Sequence, residues 1–218
     1  MKRVLTILLS LTIIMIAKLS VGQNTVNFKL KKQLDSVYEL DQRYRAVMMD
    51  PAKKDSFIKS MRITPQQADN AVWSLMRNSD STNINFIEKI IGKHGYPGKS
   101  IVGEPTNEAA WNVIQHSTKI HVYIALIKDA AEKGELPFRL YAMMFDRDLM
   151  NQGKEQVYGT QVRSQKIKSG KMATFVWPIQ DPDGVNERRS KAGFDSTIEE
   201  NARKLGVTYH VMKMDEIK

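Results

Sequence analysis

The stretch LKKQLDSVYELDQRYRAVM, residues 30–48, decides the fold class. Leu30, Leu34, Val37, Tyr44 and Met48 recur at alternating spacings of four and three, which sets them on one stripe of an α-helix. One place in that stripe is taken by Asp41. A carboxylate on an apolar face is costly to bury alone, and Arg45, one turn later, is a natural partner. A polar lead at 24–27 precedes the helix, and Pro51 ends it.

Reading outward, Thr64-Pro65-Gln66-Gln67 opens a second helix, with a capping residue, proline at the first helical position and Gln67 able to bond back. Residues 78–83 read as a polar break, after which Ile84, Ile87, Ile90 and Ile91 mark a further helix that stops in the segment Gly92 to Gly95. Residues 96–105, rich in glycine and proline, form a loop. Thr106 caps a helix carrying Ala109, Ala110, Val113 and Ile114, and residues 118–133 carry Ile120, Ile124 and Ile127 on another. Pro137 begins one more, with Leu140, Met143, Met144 and Leu149, closing at Gly153.

The pattern then changes. Residues 156–165 and 172–179 are β-compatible runs joined by a turn at 168–171, which predicts a hairpin. Asp181-Pro182-Asp183-Gly184 is a turn by its own chemistry. A short helix runs through Arg188 and Arg189 to Gly193, and Ser196 with Glu199 makes a capping box for a last helix ending at Gly206. Residues 207–211 fit a final strand. The expected class is mainly α (α+β): one globular helical domain over residues 23–218, with a small β-hairpin toward its C-terminal half.

Residues 1–22 read as a cleavable signal peptide. Lys2 and Arg3 are followed by an uncharged run from Val4 to Ala17, and Ser20-Val21-Gly22 supplies small residues before a cut at Gln23. A spanning helix needs about 20 apolar residues, and this run is shorter and holds Thr6, Ser10 and Thr12. Export to the periplasm or medium is therefore expected, with no membrane span after cleavage. With no cysteine in the chain, disulfides, thiol chemistry and thiolate metal sites are excluded.

Loss of Lys2, Arg3 and Lys18 takes the formal charge from +9 to +6. The remaining cations are scattered rather than gathered with aromatics on one face, so no nucleic-acid partner is expected. Gly98-Lys99-Ser100 resembles the end of a phosphate loop, but position 93 is lysine where a glycine is required. Asp181 and Asp183 lack the later ligands of a calcium loop. His116 and His121 are five apart and fall on different helical faces. No G-x-S-x-G or H-E-x-x-H occurs, and neither cofactor nor metal is expected.

What survives is a set of polar intrusions on apolar faces. Besides Asp41, His116 lies on the stripe of Ala109 and Val113, and Asp146 lies beside Ala142, Met143 and Leu149, with Arg147 next to it. Places where local rules fail together tend to be functional or strained, so the three are expected to meet in one buried polar cluster. In the hairpin, Tyr158 and Thr160 fall on one face and Gly159 and Gln161 on the other, with Gly159 marking a bulge or a close backbone approach.

These residues carry a resemblance. Asp41-Gln42 with Arg45, Gly95-Tyr96-Pro97, Gln115-His116, Asp146-Arg147, Gln156 with Tyr158-Gly159-Thr160-Gln161, and Arg188-Arg189 with Gly193 follow in that order. From about Leu34 to Phe194 the chain resembles a large bacterial family known as a domain of unknown function, with Phe194 where leucine is expected. The resemblance implies that these polar residues are the family's shared feature and supplies no activity.

Two functions fit. The first, favoured by the lack of a nucleophile or metal motif, is an envelope module that binds a small polar or anionic ligand, or a partner, at the cluster. The second is an envelope hydrolase or lyase with His116 as general acid or base, oriented by Asp41 or Asp146. Arg147 or Arg188 would hold an anionic group, Tyr158 and Gln161 would fix the substrate, and Arg45, Gln115, Gln156 and Arg189 would complete the binding residues.

Overall fold

The computed structural model describes residues 26–217, so the predicted signal peptide and the first half of the polar lead lie outside the described residues. The amphipathic stretch forms α1 (Phe28–Met49), capped by the Asn27 side chain, which accepts from the Leu30 N–H at 3.0 Å. Leu30, Leu34, Val37 and Asp41 are buried as the stripe requires. Near the end of α1 the covered side changes: Met48 is exposed and Val47 is buried instead. Asp50 closes α1 and at once caps α2 (Pro51–Met61), accepting from the Ala52 N–H at 2.9 Å. No residue of α2 is buried, which is why no apolar periodicity announces it.

Helix α3 (Pro65–His94) opens as expected, with the Gln67 side chain returned to the Thr64 N–H. It then runs without interruption through residues 78–83, where composition predicts a break. Tertiary partners explain this: Asp80 receives Arg45 from α1, the Thr82 hydroxyl bonds back to the Asn78 carbonyl, and Asn83 is buried in phase with Ile84 and Ile87. The predicted loop at 96–105 contains one helical turn, α4 (Lys99–Val102), and a 3-10 turn at Thr106–Glu108 leads into α5 (Ala109–Gln115). Helices α6 (Ile120–Glu132) and α7 (Phe138–Asn151) lie where expected.

The main core is built by α1, α3, α5, α6 and α7 around Leu34, Ile87, Ile114, Ile127 and Met144. Each such side chain contributes about 1.5–3 kcal/mol by leaving water. The Trp111 indole donates to the Leu140 carbonyl at 2.8 Å, which ties α5 to α7.

The hairpin forms as β1 (Val162–Lys166) and β2 (Met172–Val176), antiparallel with Val162 opposite Val176. Successive residues of β2 serve opposite faces. Phe175 joins Trp177, Met212 and Ile217, while Val176 joins Ile179, Val185 and Ile198. Residues 156–161 do not extend β1 as expected; they form an irregular loop in which Gly159 has φ +69°. A 3-10 turn at Pro182–Gly184 precedes α8 (Val185–Lys191) and α9 (Ile198–Lys204). The capping box of α9 is Thr197 with Glu200, one residue later than Ser196 with Glu199. Residues 207–211 are not a strand: among the described residues no partner strand reaches them, and the Val207 N–H closes the end of α9 on the Ala202 carbonyl. The described chain ends in a short helix, α10 (Met214–Ile217).

Candidate functional site

The polar intrusions sort into two assemblies. In the first, α1 supplies Asp41, and His116 sits at the C-terminal cap of α5. The Asp41 side chain is fully enclosed, and His116 Nδ1 lies 3.2 and 3.1 Å from its two carboxylate oxygens. With acceptors on that side, Nδ1 carries a proton and donates it, which fixes the tautomer and leaves Nε2 as the working nitrogen. Gln42 donates to the same carboxylate at 2.7 Å, and Arg45 reaches both its oxygen and the Asp41 backbone carbonyl. Arg45 also grips both oxygens of Asp80 at 2.9 and 3.0 Å, which joins α3 to the group.

His116 retains 20% of its side-chain exposure and is among the residues lining an open cleft of about 350 Å³. Arg77, Asp80, Ser81 and Asn85 of α3 form one wall, and Ser117 to Lys119, leading into α6, form the other. Lys119 is held by Glu88 at 2.6 Å, and Tyr123 donates to the same oxygen at 2.9 Å. Those two contacts hold the Glu88 carboxyl below its ordinary value.

The second assembly surrounds Asp146 on α7. Its carboxylate accepts from the backbone N–H groups of Val157 (2.7 Å), Tyr158 (3.0 Å) and Thr160 (3.0 Å) and from the Thr160 hydroxyl (2.9 Å). Burial pushes this carboxyl above its ordinary value, and those donors draw it back. The carbonyls of the same loop are taken up as well. Val157 is bonded by Arg188, Tyr158 by Arg189, Gly159 by Asn201, and Gln161 by the Gln156 amide. Gln156 is fully buried and also accepts from the Gln161 N–H at 2.9 Å. Gly159 is required here for two reasons. Its φ is positive, and a Cβ would stand 2.4 Å from the Ile198 side chain. The close approach expected of this glycine is therefore present.

Arg189 is 1% exposed and also donates to the Ser196 carbonyl, with its guanidinium 4.6 Å from the Phe194 ring. Burial pushes it below its ordinary value. The phenylalanine at 194 thus covers the buried arginine. Arg188 is spent on the Gln180 and Asp181 carbonyls and the Asp181 carboxylate. The Tyr158 phenol is pushed up by burial and the nearby Asp146 charge.

One side chain joins the two assemblies. Arg147 donates to Gln161 Oε1 at 3.1 Å and to the Gln115 carbonyl at 3.2 Å, beside His116. Burial lowers its value too. So Asp41 and His116 meet, and Arg45 and Gln115 lie with them. Asp146 does not join this pair, because its oxygens are turned to the 157–160 loop together with Gln156, Tyr158, Gln161, Arg188 and Arg189. Sequence reasoning did not find Asp80 or Arg77. A signal was available for Asp80, which falls on the same helical stripe as Met76, Asn83 and Ile87 and is half-buried, whereas Arg77 lies off that stripe and is exposed. Among the described residues no three His, Cys, Asp or Glu side chains are placed to hold a metal ion, and no helix is long and apolar enough to cross a membrane.

Fold and site together define a mainly helical protein with an enclosed carboxylate–imidazole pair opening on a polar cleft. The chain belongs to a family of unknown function (DUF6624), whose model matches residues 40–214, from just before Asp41 to the start of α10. No curated protein and no solved structure matches it.

Proposed function

We propose that this chain is an exported acid–base enzyme that hydrolyses a polar substrate, with His116 as its proton-transfer group. The observation that carries the reading is the contact of His116 Nδ1 with both oxygens of an enclosed Asp41 carboxylate, which leaves Nε2 outside that contact on a residue that lines the cleft. An aspartate in that position fixes the imidazole tautomer and stabilises the imidazolium that forms when Nε2 accepts a proton. Water is the nucleophile in this reading, because the neighbouring Ser117 hydroxyl is committed to the Ile114 carbonyl. His116 takes a proton from water as it attacks and returns it to the leaving group. Export rests on the charge, apolar run and small residues of positions 1–22.

A ligand-binding module is the second reading, and the saturation of Asp146, Arg188 and Arg189 by their own loop favours it, since much of the polar set does structural work. The test is a hydrolysis screen of the purified protein on 4-nitrophenyl acetate, 4-nitrophenyl phosphate and a 4-nitroanilide, run beside His116→Gln and Asp41→Asn. General acid–base catalysis supplies about 10²–10⁴-fold. A turnover that falls by about that factor in His116→Gln, and less in Asp41→Asn, supports the enzyme. Equal rates in parent and His116→Gln on every substrate would leave the binding module standing.

A further inference from the structure

Charge pairing inside the cleft identifies what it takes. Of the residues lining it, Asp80 has both oxygens occupied by Arg45, and Lys119 is neutralised by Glu88. Among the described residues Arg77 alone of the cleft's formal charges has no ion-pair partner, and it is exposed. The neutral lining groups that accompany it, the Ser81 and Thr118 hydroxyls and the Asn85 amide, can all donate. No free carboxylate faces them. A guanidinium with neutral donors in the same cleft and no competing anion suits an oxyanion, which it can meet with two parallel N–H bonds.

We infer that the cleft beside His116 binds a carboxylate or phosphate group of the substrate, with Arg77 as the residue that holds it. The inference rests on the proposed site at His116 and adds its substrate class. Neither Arg147 nor Arg188 fills that role here, since both guanidinium groups are engaged on the protein's own oxygens. Arg77 therefore sets which substrates enter, and His116 acts on them.

The experiment is an NMR titration of the purified protein with inorganic phosphate in one arm and acetate in the other, following the His116 Cε1–H and Arg77 Nε–H signals. One of the two anions is expected to give a saturable shift at both residues. In Arg77→Gln that anion binds about tenfold more weakly, the loss expected of one charge-assisted hydrogen bond. In Arg163→Gln, an exposed arginine on the hairpin far in sequence from the cleft, binding is unchanged. Phosphate alone identifies a phosphoryl group and acetate alone a carboxylate. No saturable shift with either anion, or a shift equally strong in Arg77→Gln, overturns the inference. The Arg77 shift should persist in His116→Gln. That result separates the anion site from the acid–base reading, which the hydrolysis screen tests independently, and a shift lost with His116 overturns Arg77 as the anchor.

Discussion

Asp41 and Asp146 are both enclosed carboxylates on helix faces that should be apolar, yet their surroundings differ in kind. Asp146 is met by three backbone N–H groups and a hydroxyl, all from one loop, and its oxygens point at nothing that could react. Asp41 is met by three side chains, and one of these is the imidazole of a residue that lines an open cleft. The first carboxylate organises backbone that has no ladder of its own. The second orients a group that can gain and lose a proton. A buried acid is thus no site by itself; what matters is whether its partner has another face to offer.

The contrast breaks first at Asp146. In Asp146→Ala three backbone donors and a hydroxyl lose their acceptor at once, and stability should fall by about 3–5 kcal/mol. Thermal unfolding should then show a midpoint lower by roughly 10 °C or more; a drop of only a degree or two would mean the loop holds without its carboxylate. Next comes Gly159→Ala, which imposes a strained φ and a methyl group against Ile198. The expected cost in denaturant unfolding is about 1–3 kcal/mol, and a neutral result would show that the loop can shift without loss. The smallest effect belongs to the other assembly. His116→Gln should cost about 1 kcal/mol or less, because Gln42 and Arg45 still satisfy Asp41. A cost equal to that of Asp146→Ala would make both carboxylates structural and remove the distinction.

The helices were legible because apolar periodicity and capping chemistry are local: Leu34, Ile87 and Ile127 announce their faces, and Thr64 with Gln67 announces a start. Asp41 and His116 were legible for the opposite reason, as polar residues where the period demands apolar ones. The six polar residues at 78–83 looked like a break because nothing local reveals that Arg45 arrives from α1 to pair with Asp80. Residues 156–161 looked like a strand because alternation does not report where backbone N–H groups go. Those of Val157, Tyr158 and Thr160 turn to a carboxylate eleven to fourteen residues earlier. Helix α2, with no buried face, gave no periodic signal at all.

The bridge made by Arg147 has a consequence for descent. Its guanidinium needs an amide oxygen from Gln161 on one side and the chain beside His116 on the other. A lineage that replaces Gln161 strands a half-buried cation, and one that replaces Arg147 strands two acceptors. Positions 147 and 161 are therefore expected to share a history, in which a change at one is kept only when the other answers it.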